Sequence, residues 1–214
     1  MGRLVEPKAH WNLLRVYKGV KENIKNLKLV ILGDDILKDK LVEFSKNLGL
    51  KTYSVWGDQD KNEDYGVYFL GFQKNPFSMI ANSSIFVSTS LWEGFHNALL
   101  EGMVCGLPVI SSDCKSGPRE ILNPGTKVKV DMDEAEFGQY GILLPVMHRR
   151  IKEAKGPFTE REKLWIKTIT DVLNDDQAME SYSKLSQTRA SDFESNKSLP
   201  EWRAALDKVK KINK

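Results

Sequence analysis

Short apolar runs alternate with helical patterns over the first two-thirds of the sequence. One such run, residues 28–34, reads KLVILGD, and the segment before it, residues 10–24, places apolar residues close to every 3.6 positions. Strands that alternate with helices in this way are typical of a parallel sheet covered by helices. The sequence therefore predicts an α/β fold with a Rossmann-like parallel sheet.

The same pattern predicts where each element lies. Strands are predicted at residues 28–34, 51–56, 65–71, 84–90, 107–113 and 141–145. Helices are predicted at residues 10–24, 36–48, 96–105, 164–173, 178–193 and 199–212, with shorter ones starting at Pro76 and Gly117. We therefore expect an α/β domain at residues 1–146. A connecting segment and extra C-terminal helices that pack on this domain should follow at residues 147–214.

The first residues of the chain do not fit a complete strand. In a doubly wound domain, Gly2-Arg3-Leu4 should end the first strand, and the residues after them should form the loop that leads into the first helix. The apolar residues of such a strand do not precede Gly2 in this sequence. We therefore expect the first strand to be truncated.

Composition and charge argue against several classes of protein. The 214 residues carry a net charge of +3, which is too small to indicate nucleic-acid binding. No apolar run approaches the roughly 20 residues needed to cross a bilayer, and the N-terminus lacks the apolar core of a secretory signal. Cys105 and Cys114 have neither CxxC nor metal-ligand spacing, and the three histidines are scattered. We expect reduced thiols, no metal site and a cytoplasmic protein.

Two cations follow the expected end of the first strand, where open parallel sheets bind their ligands. Arg3 supplies a planar fork of donors and Lys8 supplies a mobile point charge, a pair that suits a diphosphate. Two solvated surface cations would produce the same pattern. This loop, taken alone, leaves both interpretations open.

A second loop, residues 90–97, connects a predicted strand to a predicted helix. Gly94 allows close approach of the backbone to a ligand, and the free N–H groups around residues 95–98 form an anion site at the helix start. Glu93 and Glu101 can both point into the crevice above the sheet, where carboxylates accept hydrogen bonds from sugar and ribose hydroxyls. The alternative is a Glu that stabilises the helix dipole, with Glu101 merely exposed.

A third loop, residues 111–120, also follows a predicted strand. Gly117 and Pro118 open a short helix, and the charged pair Arg119-Glu120 either faces the same crevice or pairs elsewhere. Taken alone, this loop is compatible with both a binding role and a structural role.

Taken in order, these segments resemble the C-terminal domain of glycosyltransferase family 4, which has the GT-B fold. The matching segments are GRLVEPKAHW, LVILGDD, VYFLGF, STSLWEGFHNALLEGMVCGLPVISSD, SGPREIL and GILLPV. They cover residues 2–146 in the order and at the intervals usual for the family. The C-terminal helices, which include EWRAAL, resemble those of the family as well.

The resemblance implies roles for particular residues. Glu93 matches the acid that contacts the transferred sugar, and Glu101 matches the acid that binds the ribose hydroxyls. Arg3 and Lys8 match the basic pair that holds the diphosphate and stabilises the departing nucleotide. The remaining matches are to residues that line the donor site: Gly94, Phe95, His96, Asn97, Gly33, Gly71 and Phe72.

This sequence departs from the family pattern in several places. Ala9 stands where the family often has Gly, His96 where it often has Gly or Pro, and Gly102 where it usually has Ala. None of these changes removes a charged group. The larger departure is that the N-terminal acceptor domain does not occur in this sequence.

The function implied is donor binding in a retaining, metal-independent glycosyltransferase that needs no cofactor. The donor would be a UDP- or GDP-sugar. The acceptor, reached through the N-terminal domain, would be a glycan or lipid-linked sugar in bacterial cell-surface synthesis, made in the cytoplasm or at the inner membrane face. A non-catalytic or truncated nucleotide-sugar-binding module and a sugar-nucleotide epimerase are the alternatives, although an epimerase needs no Arg3/Lys8 loop. An NAD-type oxidoreductase is disfavoured because no GxGxxG follows a strand.

Overall fold

The computed structural model describes residues 1–60, 62–127, 132–151 and 153–212. Its helices are α1 His10–Asn23, α2 Lys38–Asn47, α3 Phe77–Ile80, α4 Asn97–Val104, α5 Pro118–Leu122, α6 Glu160–Leu173, α7 Asp176–Ala190 and α8 Ser195–Ile212. Its strands are β1 Leu29–Ile31, β2 Thr52–Ser54, β3 Val67–Phe69, β4 Phe86–Ser88, β5 Val109–Ser112, β6 Glu136–Phe137 and β7 Ile142–Leu144. Short 3-10 helices lie at Glu6–Lys8 and Ser191–Phe193.

The strands form two sheets, in the orders β1-β3-β2 and β4-β5-β7-β6. Every pairing is parallel except that of β6 with β7. Parallel strands flanked by helices confirm the predicted fold class. β6 was not predicted because two residues, Glu136 and Phe137, carry no readable alternation. The sequence also predicted a single sheet, whereas β1 and β4 each form the edge of a separate sheet.

The first residues of the chain continue the ladder beside β1. The Gly2 N–H donates to the Leu32 carbonyl at 2.9 Å, and the Leu4 N–H donates to the Asp34 carbonyl at 3.1 Å. This spacing of two residues along both segments is that of a parallel ladder. Gly33 is required here, because a Cβ on it would lie 1.9 Å from the Gly2 carbonyl oxygen. Gly2-Arg3-Leu4 therefore runs parallel to the residues that follow β1.

Helices α1 and α6 join the α/β core to the C-terminal helices. α6 begins with a capping box, in which the side chains of Thr159 and Glu162 bond to each other's backbone N–H. The fully buried Glu162 also accepts from Arg15 of α1 at 2.5 Å. Trp165, buried on the same helix, donates its indole N–H to the Pro145 carbonyl just after β7. These contacts fix α6 against the end of the second sheet.

Candidate functional site

Three loops meet beyond the carboxyl ends of β4 and β5. The Leu91 N–H donates to the carbonyl of Pro7 at 2.7 Å, which holds the loop after β4 against the chain start. The Glu93 N–H donates to the carbonyl of Lys115 at 2.9 Å, which holds it against the loop after β5. Ligands of open parallel sheets bind at this end of the strands. The three loops that the sequence singled out therefore meet at this end of the strands.

At the centre of the site, a carboxylate holds an ammonium group. The Nζ atom of Lys8 lies 2.5 Å from Oε1 of Glu93, and the same oxygen accepts from the Ser90 hydroxyl at 2.6 Å. Ser90 is itself buried, and its carbonyl accepts from the Ser112 hydroxyl. The structure thus brings together Lys8 and Glu93, which the sequence assigned to two different loops.

His96 lies against this pair as an uncharged base. Its Nε2 atom is 3.4 Å from Oε1 of Glu93 and 3.3 Å from the Ser88 hydroxyl. Burial lowers the pKa of His96 to about 4, which outweighs the opposing effect of Glu93. Among the described residues, no group hydrogen-bonds to its Nδ1, although the side chain is only 2% exposed. The His96 ring therefore lies next to the Lys8–Glu93 pair in its uncharged form, shielded from solvent.

The start of α4 presents backbone donors, as the sequence predicted. The Asn97 N–H is occupied by the Phe95 carbonyl at 3.0 Å, whereas the N–H groups of Phe95, His96 and Ala98 have no partner within the described part of the chain. Gly94 is exposed, with open space where a Cβ would stand. Free N–H groups at a helix N-terminus favour an anion.

Phe95 is half exposed, and its ring contacts that of Phe193 after α7, with 5.7 Å between the centroids. The Arg189 guanidinium lies over the Phe193 ring and also donates to the carbonyls of Ile121 and Glu120. The C-terminal helices therefore support the loop at residues 90–97 and α5 together, a contact that the sequence did not indicate.

The structure does not bring the other two charged candidates into hydrogen-bonding contact with the Lys8–Glu93 pair. Arg3 is exposed and forms no ion pair with a described residue. Glu101, on α4, is partly buried; burial raises its pKa, against the lowering effect of the Met1 amino group.

The remaining predicted residues lie on the neighbouring loops. Gly33 holds the chain start, as described above. Gly71 has a φ of +66°, which favours glycine, and a Cβ there would lie 3.1 Å from Val55. Phe72 is 80% exposed and Asn97 is also exposed, so both side chains are accessible to a ligand.

The third loop is structural at Arg119. This buried side chain donates to Asp113 at 2.7 Å and to Glu136 at 2.8 Å, and so ties α5 to the ends of β5 and β6. The sequence left open whether Arg119 faces the crevice or pairs elsewhere, and the structure shows that it pairs elsewhere. Gly117 does support the site, because a Cβ on it would lie 3.2 Å from the backbone nitrogen of His96. The sequence did not indicate this contact or the roles of Ser88, Ser90 and Ser112.

Other properties bear on what the site can bind. Among the described residues, no group of three or more His, Cys, Asp or Glu side chains could hold a metal ion. Cys105 and Cys114 are free thiols, and burial raises the pKa of Cys114 to about 11. None of the described helices is long and apolar enough to cross a membrane.

The sequence profile of the family described as glycosyl transferases group 1 matches residues 1–140. The chain belongs to this family. A glycosyltransferase of Methanocaldococcus jannaschii, MJ1059, is 38% identical over 210 residues, which cover 97% of this chain and 48% of the relative. A second relative, from Campylobacter jejuni, is 30% identical over 194 residues, which cover 91% of this chain and 42% of the relative. It is named N-acetylgalactosamine-N,N'-diacetylbacillosaminyl-diphospho-undecaprenol 4-alpha-N-acetylgalactosaminyltransferase. The chain thus spans about half the length of these relatives.

Solved structures agree on the fold of this group 1 chain. TarM of Staphylococcus aureus matches with a TM-score of 0.68 at 20% identity, over 96% of this chain and 34% of TarM. Anabaena Alr3699/HepE, solved in complex with UDP, matches with a TM-score of 0.64 at 17% identity, over 97% of this chain and 48% of HepE. At these identities the likeness shows the fold, which is that of GT-B C-terminal domains.

Proposed function

We propose that this chain is the donor-binding part of a retaining glycosyltransferase of family 4, and that it binds a nucleoside diphosphate sugar. The observation that carries the proposal is the Lys8–Glu93 pair beside the free N–H groups of α4. A cation, a carboxylate and backbone donors lie on the loops that meet beyond β4 and β5, which suits a ligand that carries both phosphate and sugar hydroxyls. Supporting it, the HepE structure of the same fold was solved with UDP.

In this proposal, the diphosphate binds between Lys8, Arg3 and the N-terminus of α4. During transfer, the bond between the anomeric carbon and the diphosphate oxygen breaks, and negative charge grows on the departing nucleotide. The acceptor oxygen would bond to the same face of that carbon, and its proton would pass to the departing diphosphate. Preorganised positive groups lower the energy of that charge. Lys8, Arg3 and the helix N-terminus would supply this field, which is why we propose that no metal ion and no cofactor are required.

The two acids would recognise the two ends of the donor. Glu93, next to Lys8, would accept hydrogen bonds from hydroxyls of the transferred sugar. Glu101, about one helical turn beyond the start of α4, would accept from the ribose hydroxyls of the nucleotide. Exposed Phe72, together with Gly71, would contact the base. Gly94, Phe95, His96 and Asn97 would line the space between phosphate and sugar.

We further propose that the acceptor is bound by the part of the enzyme that this chain does not contain. GT-B transferases react between two domains, and this chain spans about half the length of its relatives. The Campylobacter jejuni relative is named for an undecaprenol-linked substrate, so a lipid-linked or cell-surface glycan is the acceptor class that we propose. Such an enzyme would work in the cytoplasm, at the inner face of the membrane.

The test is calorimetric titration of the chain with UDP, GDP and the corresponding nucleotide sugars, with and without EDTA. We expect one nucleotide series to bind, with equal affinity in EDTA, and Lys8→Ala to weaken binding at least tenfold. Lys46→Ala, which changes an exposed lysine at the end of α2, is the control. Strict dependence on Mg²⁺ or Mn²⁺, or no binding of either series, would refute the proposed site. Sustained glycosyl transfer by this chain alone would refute the proposed division between donor and acceptor parts.

A further inference from the structure

Ala9 has a left-handed backbone conformation, with a φ of +46° and a ψ of +44°. A residue with a Cβ adopts this conformation only at a cost in free energy that glycine does not meet. Within the described part of the chain, the one other positive φ outside glycine is that of Asp35, at +158°, which is close to extended. Strained residues of this kind persist where surrounding contacts hold them. We therefore ask which group holds Ala9.

Ala9 is the single residue between the turn that carries Lys8 and helix α1. The 3-10 turn at Glu6–Lys8 ends at Ala9, and α1 begins with the next residue. α1 itself is fixed in the core, where its residues Trp11 and Leu14 are buried. The φ and ψ angles of Ala9 therefore set where the turn, and with it Lys8, lies relative to the core.

The group that contacts Ala9 is the hydroxyl of Thr89, the residue directly after β4. This hydroxyl lies 3.2 Å from the Ala9 carbonyl oxygen and 3.4 Å from the Lys8 carbonyl oxygen, and donates its single hydrogen between them. The Thr89 side chain is buried. The two carbonyls stand on either side of the φ and ψ bonds of Ala9. One donor shared by both therefore constrains these two angles.

The same loop contacts the Lys8 turn at two further points. The Leu91 N–H donates to the Pro7 carbonyl at 2.7 Å, and the Glu93 carboxylate holds the Lys8 ammonium. Three alternate residues of one loop thus contact three consecutive residues of the other. A diphosphate that took Lys8 from Glu93 would break the third contact. The bond from Thr89 would remain, because it does not involve the ammonium.

We propose that Thr89 is a positioning residue for Lys8. Its hydroxyl holds Ala9 in the left-handed conformation and so keeps the Lys8 ammonium beside Glu93. The family often has Gly at the position of Ala9, and Gly adopts this conformation without support. This chain has a methyl group there, packed in the core, and the bond from Thr89 offsets its cost. The inference rests on the proposed function in one respect, which is that Lys8 binds the diphosphate.

Amide hydrogen exchange measured by NMR tests the turn without any ligand. The Lys8 N–H donates to the Val5 carbonyl at 3.1 Å and so reports on the turn, and the Leu29 amide in β1 serves as the reference for global opening. Thr89→Val removes only the hydroxyl, so the Lys8 amide should exchange at least tenfold faster relative to that reference. Thr89→Ser should stay within twofold of the unchanged chain. Adding Ala9→Gly to Thr89→Val should restore slow exchange, because Gly needs no support.

Calorimetric titration with UDP and GDP tests the consequence for the ligand. Thr89→Val should weaken binding of the nucleotide at least fivefold, whereas Thr89→Ser should change it less than twofold. If Thr89 acts through Lys8, Thr89→Val should have no further effect in the Lys8→Ala chain, which a double-mutant cycle measures. The double variant Thr89→Val/Ala9→Gly should bind within twofold of Ala9→Gly alone.

Three results would overturn the proposal. Unchanged exchange at Lys8 in Thr89→Val would show that the turn keeps its conformation without the hydroxyl. Equal losses in Thr89→Ser and Thr89→Val would show that the hydroxyl is not the group that matters. A loss of affinity that persists in the Lys8→Ala chain would show that Thr89 acts elsewhere. Absence of nucleotide binding to the unchanged chain would count against the proposed function, and exchange at Lys8 would still decide the role of Thr89.

Discussion

Lys8 and Glu93 are 85 positions apart in the sequence, yet the Lys8 ammonium lies 2.5 Å from a Glu93 carboxylate oxygen. Both side chains are largely buried, and the Ser90 hydroxyl donates to the same oxygen. A diphosphate that uses Lys8 must therefore compete with Glu93 for it, unless a sugar hydroxyl takes over the carboxylate. In the proposed complex, the pair would thus link recognition of phosphate to recognition of sugar.

Glu93→Gln should change the two kinds of ligand in opposite directions. Bare UDP or GDP should bind roughly threefold to tenfold more tightly, because Lys8 is released from a charge-assisted hydrogen bond. The nucleotide sugar should gain nothing or bind more weakly, because its hydroxyls lose a charged acceptor. Calorimetry with both ligands measures this, with Glu43→Gln on the exposed face of α2 as the control. Equal changes for both ligands would contradict the role assigned to Glu93.

Glu101→Ala should remove recognition of the ribose. Loss of hydrogen bonds to a charged acceptor costs about 1–3 kcal/mol, so UDP or GDP should bind roughly 5- to 150-fold more weakly. The matched ligand is the 2′-deoxy nucleotide: the unchanged chain should prefer the ribonucleotide, and Glu101→Ala should not. A preference that survives in Glu101→Ala would place the ribose elsewhere.

The stability of the chain should fall below neutral pH because of His96. Its pKa is lowered by burial from 6.5 to about 4, so between these values the unfolded chain binds a proton that the folded chain does not. The contribution of His96 to stability is therefore complete above pH 6.5 and is lost as pH falls toward 4. Between pH 7.5 and 5, the resulting loss in the free energy of unfolding is about 2 kcal/mol.

Urea denaturation of His96→Gln at pH 7.5 and 5 tests this expectation. Between pH 7.5 and 5, the free energy of unfolding of the variant should fall by about 2 kcal/mol less than that of the unchanged chain. His10 gives an independent second case, since burial lowers its pKa to about 3, and His10→Gln should reduce the loss further in the double variant. Identical pH dependence in the unchanged chain and both variants would show that neither imidazole is held neutral.

Removing Arg15 should destabilise the whole chain. Arg15 donates to Glu162 and to the carbonyls of Glu153, Gly156 and Pro157, and its side chain is 1% exposed. Arg15→Ala leaves a buried carboxylate without its partner, which costs about 3–5 kcal/mol.

The free energy of unfolding from urea titration measures the effect of Arg15→Ala. The control is Lys163→Ala, which breaks an exposed ion pair with Glu160 on the same helix and should cost less than about 1 kcal/mol. A loss at Arg15 no larger than at Lys163 would mean that Glu162 finds other partners or that α6 is not fixed by this pair.

The elements of the fold and several of the site residues could be predicted from the sequence because they depend on local patterns. Apolar periodicity located α1, α6 and the strands, since burial of one helical face or of a whole strand needs nothing beyond residue type and spacing. The loops that follow strands could be chosen as candidate ligand-binding positions from the same pattern, and the structure brings Lys8 and Glu93 of two such loops together. β6 was not predicted because it consists of only Glu136 and Phe137. Its pairing with β7 uses backbone groups, which the two side chains do not indicate.

Only the tertiary structure decided which groups meet. Whether Arg119 faces the crevice or binds Asp113 and Glu136 depends on the direction of α5 relative to β5, which a sequence pattern does not contain. The neutral state of His96 likewise depends on burial supplied by distant segments. Hydrogen bonds, and the burial and charges that shift a pKa, depend on groups within a few ångströms in space. Spacing along the sequence indicates such distances only within one helix or strand. The alternation of strands and helices therefore determined the architecture, while the Lys8–Glu93 contact required the chain to fold.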